Sequence, residues 1–261
     1  MFTILLYHGI DSGEVWDRKL DATDREYVLG RERFEQHIEF LARHRIPVSS
    51  HDACLRGGDD RAVPVVLTFD DGDVSGYTTA APILESHGLR ADFFIVTQWV
   101  DRPGFMTREQ LRDLIRRGHG VHSHSRTHAV LPSLTDVQIE EEVAGSRAEL
   151  GAITGVPVAY FSIPGGAYDE RVVAAARRAG YQRVLNSSEG YNDSREPAFL
   201  LRRFTPRAYT GLRFLSAVCR HQTFTIVRLA MKRNALRAAK RILGGAQYQR
   251  LRGRIVSTRQ T

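Results

Sequence analysis

Two carboxylates, Asp70 and Asp71, stand side by side at the end of the apolar run PVVLTF and are followed at once by Gly72. Adjacent carboxylates repel, and a cation held by one relieves the repulsion while leaving the other free to accept a proton. In an extended strand the two would point to opposite faces, so both reach one pocket only if the chain bends there, which Gly72 permits. Further along, GHGVHSHSRTH at 118–128 holds His124 and His128 four apart. That spacing brings two imidazoles to one ion where the segment turns helically, and a carboxylate completes a set of three that suits zinc or another divalent cation. Tyr7 and His8 end the first apolar run, FTILLYH, and Pro164–Gly166 follow another that ends at Phe161.

Each feature has a plain structural reading. Asp-Asp-Gly makes a turn, a His-rich loop binds metal incidentally, a lone His at a strand end is usually structural, and Pro-Gly-Gly usually just turns the chain. Their conjunction is what points to chemistry, because all four lie where strands end. The strands read from the pattern are 2–8, a short one at 46–50, 64–69, 91–97, 120–123, 158–161 and 181–185. Helices are expected over 31–45, 76–87, from Thr107 to Gly118, from Thr135 through Leu150, and from Asp169 to Gly180. Thr107 with Gln110 and Thr135 with Gln138 have capping-box spacing. Repeated strand-helix units imply parallel strands with right-handed crossovers, hence an α/β barrel or an open doubly wound sheet, with functional groups at the carboxyl ends of the strands.

The chain has 261 residues and 42% hydrophobic content, enough for one sizeable core and a tail. No stretch is apolar enough to span a bilayer, and two distant cysteines, Cys54 and Cys219, build neither a disulfide framework nor a cysteine zinc knuckle. No leader-like segment opens the sequence, so a cytoplasmic location is the expectation. From residue 197 onward there is no Asp or Glu. That segment holds 15 of the 37 Lys and Arg, leaving 22 against all 30 acidic residues before it, a balance of −8. A basic tail on an acidic body suggests an anionic partner for the tail, with whole-protein binding of nucleic acid disfavoured. Residues 226–243 carry an interrupted amphipathic pattern, which reads as a solvated helix packed on the barrel, as a peripheral contact with anionic lipid at the inner membrane face, or, least favoured, as a contact of the tail with nucleic acid.

With these residues in view, the chain resembles the polysaccharide deacetylases of NodB homology, carbohydrate esterase family four, over about residues 1–210. LTFDDG at 67–72 resembles the first motif, GHGVHSHSRTH the second, and FSIPGG at 161–166 the third. The resemblance implies a distorted (β/α)7 barrel over residues 1–215, with 216–261 a basic helical extension. It implies Asp70 as catalytic base and Asp71, His124 and His128 as ligands of one divalent ion, Zn2+ first among the choices. Gly165 would donate its backbone N–H to the oxyanion. His119 and His122 are then bystanders. Where the family's third motif has an arginine that orients the base, this chain has Ser162. The family's late strand ending in His-Asp is missing, and ILLYHGID at 4–11 offers the same elements at the front, resembling the permuted exopolysaccharide de-N-acetylases and making His8 the catalytic acid.

The implied activity is metal-dependent hydrolysis of N-acetyl groups on an amino-sugar polysaccharide, oligosaccharide or lipid-linked precursor, with Tyr168 and Trp99 as candidate sugar-stacking residues. The same pocket directed at a non-sugar amide or cyclic imide is a second reading. A glycan-binding protein with weak turnover is a third, favoured by Ser162 and opposed by the intact Asp70, Asp71, His124 and His128.

Overall fold

The structure, a computed structural model, describes residues 1–11, 13, 24–55, 64–193 and 198–222, together with 224, 228 and 231. One compact unit runs Met1–Cys219. The pattern expected over 226–243 lies outside the described residues apart from Arg228 and Met231.

The unit is built on a seven-stranded, all-parallel sheet. Its strands, in spatial order, are β1 (Thr3–Tyr7), β4 (Val65–Phe69), β5 (Asp92–Ile95), β6 (Gly120–Ser123), β7 (Tyr160–Ser162), β8 (Arg183–Leu185) and β9 (Leu200–Leu201). A separate two-stranded pair, β2 (Ile10–Asp11) with β3 (Leu29–Gly30), lies between β1 and the first helix. β1, β4 and β5 are buried along their whole length, which explains why their sequences are apolar runs rather than alternating ones. The sheet curls until its two ends meet. Leu6 N donates to Phe204 O and Phe204 N to Ile4 O, each at 2.9 Å, so the segment just after β9 returns to β1. The result is the curled parallel barrel expected of a NodB-type deacetylase fold. Between β8 and β9 there is no helix among the described residues, so the βα repeat is incomplete there.

Helices α1 (Arg31–Arg43), α2 (His51–Leu55), α3 (Ala81–Ser86), α4 (Arg108–Arg116), α5 (Asp136–Glu140), α6 (Ser146–Thr154), α7 (Glu170–Arg178) and α8 (Leu212–Cys219) accompany the strands. Both capping boxes form. Thr107 Oγ1 accepts from Gln110 N while Gln110 Oε1 accepts from Thr107 N, and Thr135 with Gln138 repeats the arrangement. Asp169 caps α7 through Val172 N.

Three expectations need correction. The strand expected at 46–50 is only a single bridge, Val48 to Val65. The helices expected over 76–87 and from Thr135 through Leu150 are each interrupted by a π turn, Gly76–Ala80 and Glu141–Gly145. An extra residue in a helical turn rotates the side chains that follow, and such turns gather at functional sites. Within the second, Glu142 lies on the same inward face as Ile139 and Val143 and is only 7% exposed.

Candidate active site

The site is assembled at the carboxyl ends of β1, β4, β6 and β7. β1 and β4 pair in register, Tyr7 with Phe69, so His8 and Asp70 leave adjacent strands at the same level, and Asp70 N donates to Tyr7 O at 3.0 Å. The bend needed after Asp70 is present. Asp71 has φ +73° and Gly72 φ +79°, two consecutive left-handed residues that bring the second carboxylate round to the same side. A non-glycine residue there is strained and persists only where its surroundings hold it.

The second group comes from the loop after β6. Ser125 and His128 both adopt positive φ, +65° and +66°, and His128 N donates to Ser125 Oγ at 3.1 Å. These turns fold the loop back so that both imidazoles face Asp71. His124 Nε2 and His128 Nε2 each lie 3.5 Å from Asp71 Oδ1. Among the described residues, Asp71, His124 and His128 are the group whose ligand atoms fall within 4.8 Å of one another. One carboxylate and two imidazoles in that compass suit a divalent cation with open coordination positions for water or substrate. His124 Nδ1 faces the carbonyl oxygen of Ser162 at 2.8 Å, which places its proton on Nδ1 and leaves Nε2 as the ligand atom.

The loop is clamped from behind by Glu142. Its Oε2 accepts from Arg126 N at 3.0 Å and Thr127 N at 2.9 Å, and its Oε1 accepts from Thr127 Oγ1 at 2.7 Å. Glu142 therefore fixes the turn between the two histidines. The sequence reading did not single it out.

Asp70 sits beside the triad, Oδ2 at 3.7 Å from His124 Nε2, and is 3% exposed. Its carboxylate receives Arg203 Nη1 on Oδ1 and Arg203 Nη2 on Oδ2, both at 2.8 Å, and Ser162 Oγ donates to Oδ2 at 2.8 Å. Burial alone would raise the Asp70 carboxyl, but the Arg203 guanidinium, aided by His124, holds it well below the usual carboxylate range. It is therefore ionised throughout the neutral range. Arg203, fully buried, was also missed in the sequence, where LLRRFTPR reads as the start of a basic segment.

His8 packs against Tyr27 with ring centroids 5.0 Å apart. Burial pushes its imidazole below the ordinary value, while the charges of Asp71 and Asp70 pull the other way. Trp99 stacks on His128, centroids 5.2 Å apart and planes at 29°. Tyr168 is 41% exposed on the chain between the Pro164 turn and α7. Gly165 has φ +60° in the turn that follows β7, and at Gly166 a Cβ would come within 2.7 Å of Ser187, so Gly166 accepts no side chain without rearrangement. The remaining histidines of the motif have structural partners. His119 Nε2 meets Glu85 at 2.9 Å, and His122 faces Asp92 at 3.6 Å.

A curled parallel α/β sheet carrying an Asp-His-His cluster at the carboxyl ends of its strands defines the class: an α/β barrel with a candidate metal centre. Residues 57–184, just under half of the chain, match the family model described as polysaccharide deacetylase. YxkH of Bacillus subtilis (strain 168), named by inference as a polysaccharide deacetylase, is 27% identical over 72% of this chain and 64% of its own length. The peptidoglycan-N-acetylmuramic acid deacetylase PdaA of the same organism is 32% identical over 49% of this chain and 48% of its own. Among solved structures, a polysaccharide deacetylase from Bacillus cereus superposes with a TM-score of 0.71 at 25% identity, covering 83% of this chain and 68% of that one. The chain spans about half to two thirds of the length of the curated relatives it matches.

Proposed function

We propose that this chain is a metal-dependent hydrolase that removes N-acetyl groups from an amino-sugar polymer or oligomer. The observation that carries the reading is the convergence of Asp71, His124 and His128 on one point, with the ionised Asp70 beside it. The family match and relatives such as the chitooligosaccharide deacetylase of Sinorhizobium fredii support the substrate class.

A divalent ion held by Asp71, His124 and His128, with zinc the first choice, supplies Lewis acidity that makes water nucleophilic near neutral pH and polarises an amide carbonyl. Asp70 accepts the proton of the attacking water at its carboxylate, which Arg203 keeps ionised. The Gly165 N–H donates to the oxygen that becomes negative as the acetamide carbon turns tetrahedral. His8 delivers a proton to the departing nitrogen, because an amine is a poor leaving group until it is protonated. Trp99 and Tyr168 offer aromatic faces for a sugar ring. The basic extension at 216–261, with its amphipathic pattern over 226–243, extends the proposal to contact with anionic lipid at the cytoplasmic membrane face, a placement that suits a lipid-linked precursor as substrate.

Acetate release from N-acetylglucosamine oligomers, compared with a panel of small amides and cyclic imides, tests the reading. Turnover of the oligomers is expected. Turnover confined to the non-sugar amides would replace the substrate class.

A further inference from the structure

His8 is held by its backbone more than by its ring. Among the described residues no hydrogen bond reaches its buried Nδ1, and the imidazole rests against the Tyr27 ring. The chain on either side is pinned. Tyr7 O accepts from Asp70 N at 3.0 Å, Gly9 O from Leu29 N at 3.2 Å, and Ile10 N donates to Ser75 Oγ at 2.8 Å. Of the three pins, the last is the one made by a side chain.

Ser75 belongs to the segment that leads away from Asp71. Its hydroxyl donates to Asp73 Oδ1 at 2.5 Å, and its N–H donates to the same oxygen at 2.9 Å. A hydroxyl donates one hydrogen and accepts through its lone pairs, so a single Ser75 oxygen serves Ile10 and Asp73 at once. Both residues are buried, Ser75 6% exposed and Asp73 2%. A hydrogen bond to a carboxylate out of water is short, strong and directional, so this link resists stretching. Asp73 follows the left-handed pair Asp71 and Gly72, its backbone bridges to Phe105, and Gly72 O accepts from Met106 N at 2.9 Å. The path Ile10–Ser75–Asp73 therefore runs from just past His8 to just past Asp71. It joins segments 65 positions apart in sequence.

We propose that Ser75, anchored on Asp73, is a positioning residue that fixes the separation of His8 from Asp71, so that the imidazole meets the departing nitrogen of a substrate whose carbonyl lies at the Asp71 cluster. This rests on the reading of His8 as the acid and Asp71 as a ligand. The strut acts on spacing and leaves the ligand atoms untouched. Its loss is felt where a proton must be delivered, as to an amide, and not by a 4-nitrophenyl ester, whose phenolate leaves without one.

The test uses Ser75→Ala, which removes the hydroxyl and little volume, and Ser75→Thr, which restores it, in the full chain loaded with zinc. On N-acetylglucosamine oligomers S75A is expected to lower kcat by about 10- to 100-fold with KM within about threefold of the parent, the scale of loss that a displacement of ~1 Å causes. Hydrolysis of 4-nitrophenyl acetate, and zinc affinity read by chelator competition, are expected to stay within about threefold, while S75T recovers most of the oligomer turnover. Amide hydrogen exchange needs no substrate: the Ile10 N–H is expected to exchange at least about tenfold faster in S75A, with β1 unchanged. An oligomer kcat within about threefold of the parent, an equal loss on ester and oligomer, weakened zinc binding, or an unchanged Ile10 exchange rate overturns the proposal, as does a folded S75T no better than S75A. His8→Ala is the control. If it turns over oligomers at the parent rate, the acid reading itself has failed; if it loses oligomer turnover selectively while S75A does not, only the strut has.

Discussion

Nδ1 of His124 donates to the carbonyl oxygen of Ser162 at 2.8 Å, which leaves Nε2 directed at Asp71 Oδ1, 3.5 Å away. The imidazole is thus held in the tautomer a cation requires before any cation arrives. The same β7 residue bonds to Asp70 through its hydroxyl, so the proposed proton acceptor and the proposed ligand share one support. Loss of the ligand itself is correspondingly specific. His124→Ala is expected to weaken zinc binding by more than the ~10- to 100-fold typical of losing an outer support, read by competition with a chromophoric chelator. Unchanged affinity would remove His124 from the ligand set.

Glu142 supports the other half of the cluster. It accepts three hydrogen bonds from Arg126 and Thr127, between the two histidines. Glu142→Gln turns an acceptor-only group into one that presents its own N–H to those donors. Zinc affinity should fall by about 10- to 100-fold in a protein that still melts cooperatively. If affinity stays at the parent value, the clamp does not shape the site.

Asp70 and His8 should separate from the ligands in their phenotype. Asp70→Asn is expected to retain zinc and lose acetate release, and His8→Ala to lower kcat more than it raises KM, each by about 10² to 10⁴. Isothermal titration with zinc and steady-state assays distinguish the cases. An effect of His8→Ala confined to KM would count against its role as acid.

His37 gives a pH dependence away from the metal. It is buried, with Nε2 facing Thr210 O at 3.1 Å and Nδ1 facing Tyr7 Oη at 3.3 Å. Burial pushes its imidazole down to about 4, only partly offset by the bond to Thr210. The unfolded chain therefore binds a proton near pH 6.5 that the folded one does not accept until about 4. Its contribution is complete above pH ~6.5 and is lost as the pH falls toward the folded value, by roughly 3 kcal/mol in all. Denaturant unfolding from pH 7 to 4 should show a flatter decline for His37→Gln. Parallel curves would exclude His37 as a source of acid sensitivity.

Much of this arrangement is legible from the sequence because its determinants are local. PVVLTF reads as a buried strand from composition alone, Thr107 and Thr135 announce helix starts, and Gly72 marks the bend that lets Asp71 join His124 and His128. What is not legible depends on closure of the barrel. β9 is two residues long, too short to show a period, and nothing near Arg203 in sequence reveals that it faces Asp70 across the barrel. Glu142 is hidden for another reason. Spacing puts it on the inward face with Ile139 and Val143, but a lone glutamate in an acidic helix stretch gives no sign that it reaches Arg126 and Thr127 in the loop. His119 and His122 illustrate the converse, since their proximity to the motif reflects partners, Glu85 and Asp92, that spacing does not disclose.

The most direct measurement is acetate release from N-acetylglucosamine oligomers by protein stripped of metal, with zinc then titrated back. The account predicts negligible release without metal and recovery that saturates at one zinc per chain, absent in Asp71→Asn. Undiminished release by the metal-free protein, or recovery that does not require Asp71, would contradict it.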